Sequence, residues 1–137
     1  MSSVREFHNQ AMQYAQNAVA AAQQKDEDQK ILLIDHAMQY EIRAAELLPE
    51  EQSSEPTRSI LYRSAASFAY QAGNYQEAER LIFKGLSGYP TPISKAQLLD
   101  VQTLIQAAIA SEIIGSLPLS EHKTVTIQIY PELAVAT

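Results

Sequence analysis

The chain contains no cysteine and no tryptophan, and its 137 residues include only four glycines. Without cysteine there are no disulfides, thiolate metal ligands or cysteine nucleophiles, which fits a reducing cytoplasm without requiring one. Basic residues are also scarce, with 10 lysines and arginines against 16 acidic residues. The basic residues are scattered, so they form no positive stripe that could neutralise a phosphate backbone. We therefore expect a cytoplasmic protein that does not bind nucleic acid.

Long apolar runs are absent as well. The N-terminus, MSSVREFHNQ, has no apolar stretch of signal-peptide length, and no run reaches the roughly 20 residues that span a bilayer. We therefore expect no membrane association. A composition of 46% hydrophobic and 19% charged residues is typical of a folded globular domain. The length predicts one core, which we assign to a helical domain over residues 1–116, followed by a C-terminal segment over residues 117–137.

Apolar residues spaced three and four apart predict five helices. The apolar positions of the second helix begin at Ile31, and Pro49 ends this helix. The predicted buried face of the fifth helix consists of Ile93, Ala96, Val101, Leu104 and Ala108. The predicted ranges are residues 4–24, residues 31–48, a third helix that ends near Ala72, Tyr75 to Leu86, and Pro92 to about Gly115.

Polar and turn-forming residues mark the helix ends. We interpret KDEDQK, residues 25–30, as the first connection, although its acids also suit the start of a helix. Ser53 and Ser54 are predicted to accept hydrogen bonds from the first amides of the third helix. Gly73 is predicted to adopt the left-handed conformation that ends this helix. Asn74 and Glu77 then predict a capping box for the fourth helix.

The pattern changes in HKTVTIQIY, residues 122–130, where apolar and polar residues alternate. Val125, Ile127 and Ile129 would face one side of a β-strand. Because a strand cannot satisfy its backbone alone, it must pair with another segment. The candidates are residues 117–119 in a short hairpin, a second copy of the chain in a homodimer, or a partner protein.

The third and fourth predicted helices resemble a tetratricopeptide repeat (TPR), a two-helix unit of about 34 residues recognised by small and aromatic residues at fixed offsets. Residues 60–90 carry the motif, and residues 37–49, AMQYEIRAAELLP, are similar to its second helix. The chain also resembles a group of short, uncharacterised bacterial TPR-like proteins, and this group suggests no reaction. The matching positions are Tyr62, Ala65, Ala66, Ala72, Gly73, Tyr75, Ala78, Ile82, Gly85, Leu86 and Pro90.

The resemblance implies an all-α fold of TPR-like antiparallel helical hairpins, about five helices in all, with a short C-terminal β segment. It further implies peptide binding along the concave face formed by the first helix of each pair. Arg63 would grip a carboxylate and Tyr70 would stack on an apolar group; the alternative is a solvated arginine and a partly buried tyrosine. The implied partner-binding residues are Ile60, Arg63, Ser67, Tyr70 and Gln71.

Motifs for catalysis, cofactors or metals are not found. His8, His36 and His122 lie on different predicted elements, and no two share a helix face at the spacing of a metal site. The sequence has no GxSxG, HExxH or GxxxxGK motif. We therefore expect a non-catalytic adaptor with no cofactor that binds a protein or peptide. The alternative is a homo-oligomeric structural protein that associates through the C-terminal strand and helix five, with Leu98, Leu99, Ile105 and Ile109 buried between copies.

Overall fold

The computed structural model describes residues 3–115, and all regular structure in this part of the chain is helical. This confirms the all-α class and the five α-helices for residues 3–115, whereas the strand predicted at residues 122–130 lies outside the described residues. A 3₁₀ turn at Gln52–Ser54 precedes the third helix. The α-helices are α1 Val4–Gln23, α2 Glu27–Glu46, α3 Thr57–Gln71, α4 Tyr75–Leu86 and α5 Pro92–Ile114.

Helix α3 lies at the centre of the bundle. It packs against α2, α4 and α5, and it hardly touches α1, which packs on α2. Its Phe68 is the largest fully buried side chain among the described residues. Fully buried alanines such as Ala15, Ala37, Ala66 and Ala78 line the contacts between helices. Small side chains let helix axes approach closely, so α3 is enclosed on several sides.

The connection between α1 and α2 is shorter than predicted. Helix α2 begins at Glu27, and Asp26 caps it by accepting a hydrogen bond from the Gln29 amide at 3.2 Å. Lys30 is buried and pairs with Glu27 at 2.6 Å. The interpretation of residues 25–30 as a connection was therefore wrong beyond Asp26. Acidic residues near the positive end of the α2 dipole explain why the helix starts there.

The cap of α3 also differs from the prediction. Glu55, rather than Ser53 or Ser54, accepts hydrogen bonds from the Ser59 amide at 3.1 Å and from the Ser59 hydroxyl at 2.6 Å. Ser53 instead donates to Glu51 at 3.2 Å. The two serines form the 3₁₀ turn, so a carboxylate satisfies the amide that we had assigned to them.

The turn between α3 and α4 follows the sequence signals closely. Gly73 has φ +81°, and Asn74 accepts a hydrogen bond from the Glu77 amide at 3.3 Å. The Glu77 carboxylate does not complete the predicted capping box, because it forms two bonds to Arg80 at 2.6 and 2.9 Å. So short a turn folds α4 back antiparallel to α3.

Helix α5 buries a different face from the predicted one. Of the five positions that we assigned to its buried face, only Val101 is buried, whereas Ile93, Ala96 and Leu104 are exposed. The helix is apolar on nearly all sides, so apolar spacing alone cannot select the face that packs on α3 and α4. The buried residues are Ser94, Leu98, Val101 and Ile105.

Candidate functional site

The five predicted partner-binding residues share one face of α3. Their spacing along the helix places them on a single stripe. Within it, the Gln71 side-chain amide donates to the Ser67 hydroxyl at 2.9 Å. We call this set the α3 stripe: Ile60, Arg63, Ser67, Tyr70 and Gln71.

The α3 stripe is largely buried. Arg63 and Ser67 are each 3% exposed and Gln71 is 5% exposed, while Ile60 and Tyr70 are half-buried. The alternative of a solvated arginine is therefore wrong, and the partly buried tyrosine is confirmed. Polar residues on a predicted helix face are normally assigned to solvent, and nothing in the local sequence indicates that these are covered.

The stripe adjoins the side of α3 that faces α2. Its Arg63 lies between Tyr62 and Ser64, and each is turned from it by about 100° around the helix, whereas Gln71 is seven residues from Ser64 and lies nearly in line with it. Ser64 faces α2, because its hydroxyl donates to Glu41 at 2.6 Å. Tyr62 faces α4 and α5: a Cβ placed on Gly85 would come 3.2 Å from the Tyr62 Cβ and 2.9 Å from a Leu98 methyl.

The C-terminal end of the stripe adjoins an aromatic pair. The rings of Tyr70 and Tyr75 lie 5.9 Å apart and are tilted by 41°. The pKa of Tyr75 is raised, first by burial and then by the negative charge of Glu112. Because Glu112 belongs to the last turn of α5, the end of this helix lies on the side of the bundle where Tyr75 begins α4.

A buried polar network joins the first three helices, and sequence reasoning missed it. His8 Nδ1 lies 2.9 Å from Glu41 Oε1, and the Ser64 hydroxyl donates to Glu41 Oε2 at 2.6 Å. All three side chains are buried. Burial raises the pKa of Glu41, and the smaller effects of His8 and Ser64 lower it. The only sequence signal is that His8 and Glu41 occupy positions on otherwise apolar helix faces.

The network is better suited to holding helices together than to catalysis. Glu41 contacts both of the other groups, whereas a serine nucleophile would need a histidine as its base. Because Ser64 is fully buried, a substrate cannot reach its hydroxyl. A carboxylate that links α1 and α3 through α2 fixes the relative positions of these helices.

Arg58 forms a second polar contact that ties the start of α3 to the end of α4. Its guanidinium donates to the Lys84 carbonyl at 3.2 Å and to Glu50 at 3.4 Å. The same group lies 4.9 Å from the centroid of the Tyr62 ring. Arg58 is buried in this position, so its role is to fasten the α3–α4 hairpin.

Aromatic side chains cross the outer surface of α1 and α2. The Tyr14 ring stacks on His36 at 5.0 Å and on Tyr40 at 5.5 Å, and Phe7 lies 6.2 Å from Tyr40. Arg43 lies over the Tyr40 ring at 5.1 Å. An open cleft of about 500 Å³ beside Phe7 and Tyr40 is lined mainly by polar side chains of α1. His36 itself is exposed at this surface.

Helix α5 exposes large apolar side chains. Ile93 and Ile113 are 74% and 76% exposed, and Leu99, Leu104 and Ile114 are also exposed. Leu98 and Ile105 are fully buried inside the chain, so the expectation that they lie between copies was wrong.

No three His, Asp or Glu side chains within residues 3–115 come close enough together to hold a metal ion. None of the helices in the same range has both the length and the apolar composition needed to cross a bilayer. Comparison of the chain with protein families, with curated proteins and with solved structures finds no match.

Proposed function

We propose that this chain is a non-catalytic protein-interaction module, a TPR-like adaptor that binds a protein or peptide partner. The hairpin of α3 and α4 supports the TPR-like assignment, because Gly73 forms its turn and Ala66 and Ala78 are fully buried. These are the small residues that a TPR uses for close helix packing. A cytoplasmic location, with no role in nucleic-acid binding, is proposed with this function on the basis of composition and charge.

The observation that carries the proposal is the chemistry of the α3 stripe. On one helix face, a guanidinium and a hydroxyl lie between two apolar side chains, Ile60 and Tyr70, and the Gln71 amide follows them. Charged donors recognise carboxylates, and aromatic rings anchor apolar groups of a peptide. Because Arg63, Ser67 and Gln71 are buried, a partner that uses the stripe must first uncover it.

Tyr70→Ala is expected to weaken partner binding about tenfold, the loss expected when an aromatic anchor is removed. The full chain is immobilised and used to capture proteins from cells that produce it. The Kd of the purified partner is then measured for the wild type and for each variant. Tyr89→Ala is the matched control, because Tyr89 is 57% exposed in the connection between α4 and α5. Equal affinities of the two variants would contradict the proposed site.

The second candidate function is a homo-oligomeric structural protein, and the exposed apolar side chains of α5 favour it. Large apolar side chains exposed together on one helix are typical of a protein–protein contact surface. The strand that this candidate also requires lies outside the described residues.

If α5 forms the interface, the wild-type chain is expected to be a dimer, and Leu104→Gln with Ile113→Gln is expected to convert it to a monomer. Replacing two exposed apolar side chains, which the interface would cover, by amides removes apolar contact area and buries polar groups without partners. Light scattering coupled to size-exclusion chromatography measures the mass. Phe83→Gln on α4 is the control, because Phe83 is 73% exposed away from α5. A monomeric wild-type chain would exclude this candidate.

A further inference from the structure

Helix α5 carries a second face, opposite the one that packs inside the chain. The residues that α5 buries all lie on one side of the helix. At about 100° per residue, the residues on the opposite side recur every three or four positions, and all of them are exposed. None of them is charged, and all but one are apolar. We call this set the outer α5 stripe: Ala96, Leu99, Thr103, Ala107, Ala110 and Ile114.

The outer α5 stripe and its edges have the extent of a helix-packing surface. Leu99 and Ile114 in the stripe are 40% and 55% exposed, and Leu104 and Ile113 at its two edges are 43% and 76% exposed. The 23 residues of α5 span about 34 Å. A specific interface buries about 800 Å² on each partner. A single helix approaches this area only when most of its length is in contact, so a partner must run along the whole stripe.

The order of large and small residues fits the stripe to a reversed copy of itself. We consider two α5 helices that run antiparallel and cross at a two-fold axis near Ile105. Each large side chain of one helix then meets small side chains of the other, so the two surfaces interdigitate without gaps. The facing positions are Ala96 with Ile114, Leu99 with Ala110 and Ser111, and Thr103 with Ala107.

A parallel pair of α5 helices fits less well. It would place Leu99 against Leu99 and Ile114 against Ile114, and these large pairs would hold the helices apart. The small Ala107 and Ala110 between them would then face their own copies across a gap, and such voids are destabilising. The antiparallel pair also places the positive end of each helix dipole beside the negative end of the other.

We propose that the outer α5 stripe binds the same stripe of a second copy of this chain, with the two α5 helices antiparallel about a two-fold axis near Ile105. The inference rests on the second candidate function and adds the partner, the orientation and the register of the contact. Because both copies use the same surface, the assembly closes at two chains.

Disulfide trapping tests this arrangement, because the chain has no cysteine of its own. The test variant carries Ala96→Cys with Ile114→Cys, and each single variant is a control. In the antiparallel pair the two positions meet between copies, whereas each lies about 27 Å along the helix from its own counterpart. A disulfide needs Cα atoms within about 7 Å. With glutathione disulfide as oxidant, we expect the double variant to form covalent dimers at least about tenfold faster than either single variant.

A second pair guards against weakened association when the Ile114 side chain is removed. Leu99→Cys with Ala110→Cys should show the same advantage over its own single variants on non-reducing electrophoresis. All four positions are exposed, so the fold should be unchanged, and far-UV circular dichroism checks this. Equal rates for double and single variants in both pairs would overturn the proposal. Single variants that trap as fast as the double variants would do so by indicating a parallel pair.

The inference and the second candidate function fail separately. Light scattering on the unmodified chain reports association without any substitution. A dimer in which double and single variants trap equally would keep the homo-oligomer and exclude the antiparallel α5 contact. A monomeric chain would exclude both, and the Tyr70-dependent capture of a partner would still be judged by its own experiment.

Discussion

Glu41→Ala is expected to lower the free energy of unfolding by about 3–5 kcal/mol, the usual loss when one partner of a buried polar pair is removed. The substitution leaves the His8 ring nitrogen and the Ser64 hydroxyl without the carboxyl group that both contact. Each unsatisfied buried group costs about 1–3 kcal/mol. Urea unfolding followed by circular dichroism measures the change.

Glu41→Gln is the control for this experiment. Glutamine keeps the side-chain volume, and its amide can still accept a bond from Ser64 and offer a donor to His8. We expect it to lose less than half as much stability as Glu41→Ala. A loss below about 1 kcal/mol for Glu41→Ala would mean that the network does not hold α1, α2 and α3 together.

The wild type and Glu41→Gln together test how stability depends on pH. Burial raises the pKa of Glu41 in the folded chain above its ordinary value of 4.5, so the folded state binds this proton more tightly. The resulting stability is fully present below about pH 4.5 and is lost as the pH rises through the folded pKa. The unfolding free energy of the wild type minus that of Glu41→Gln should therefore fall from about pH 4 to about pH 8. A difference that does not vary with pH would contradict this account of Glu41.

Phe68→Ala is expected to cost about 3–5 kcal/mol, because it removes a fully buried aromatic side chain and leaves a cavity. The size of the effect tests whether α3 is the enclosed centre of the bundle. Phe83→Ala removes the same side chain from the exposed surface of α4 and should change stability by less than about 0.5 kcal/mol. Similar losses for the two variants, measured by urea unfolding, would contradict the arrangement of the helices.

The helix ends that the sequence predicts well are those fixed by local chemistry. Gly73 and Asn74 define the turn before α4 through backbone conformation and a side-chain cap. Thr91 and Pro92 open α5 in the same local way, with the Thr91 hydroxyl accepting from the Ser94 amide at 3.1 Å. Such signals depend on three or four neighbouring residues, so no tertiary information is needed to read them.

The features that the sequence does not predict depend on distant partners. His8 and Glu41 are far apart in the chain, and neither residue has a neighbour that indicates the pair. The buried face of α5 cannot be predicted from the sequence, because α5 carries apolar residues on nearly all of its faces. The predicted stripe residues do share a face of α3, but their burial depends on what covers that face, which local pattern does not encode.

The central claim is that the α3 stripe is a covered binding surface, and the exchange of the arginine Nε protons tests it most directly. In a ¹⁵N-labelled full-length chain, the Arg63 Nε proton should exchange with water at least about tenfold more slowly than that of Arg5, which is exposed on α1. Adding a partner that binds to the stripe should change the Arg63 signal and leave the Arg5 signal unaltered. An Arg63 proton that exchanges as fast as that of Arg5 would mean that the stripe is open to solvent, and the account of a covered surface would be wrong.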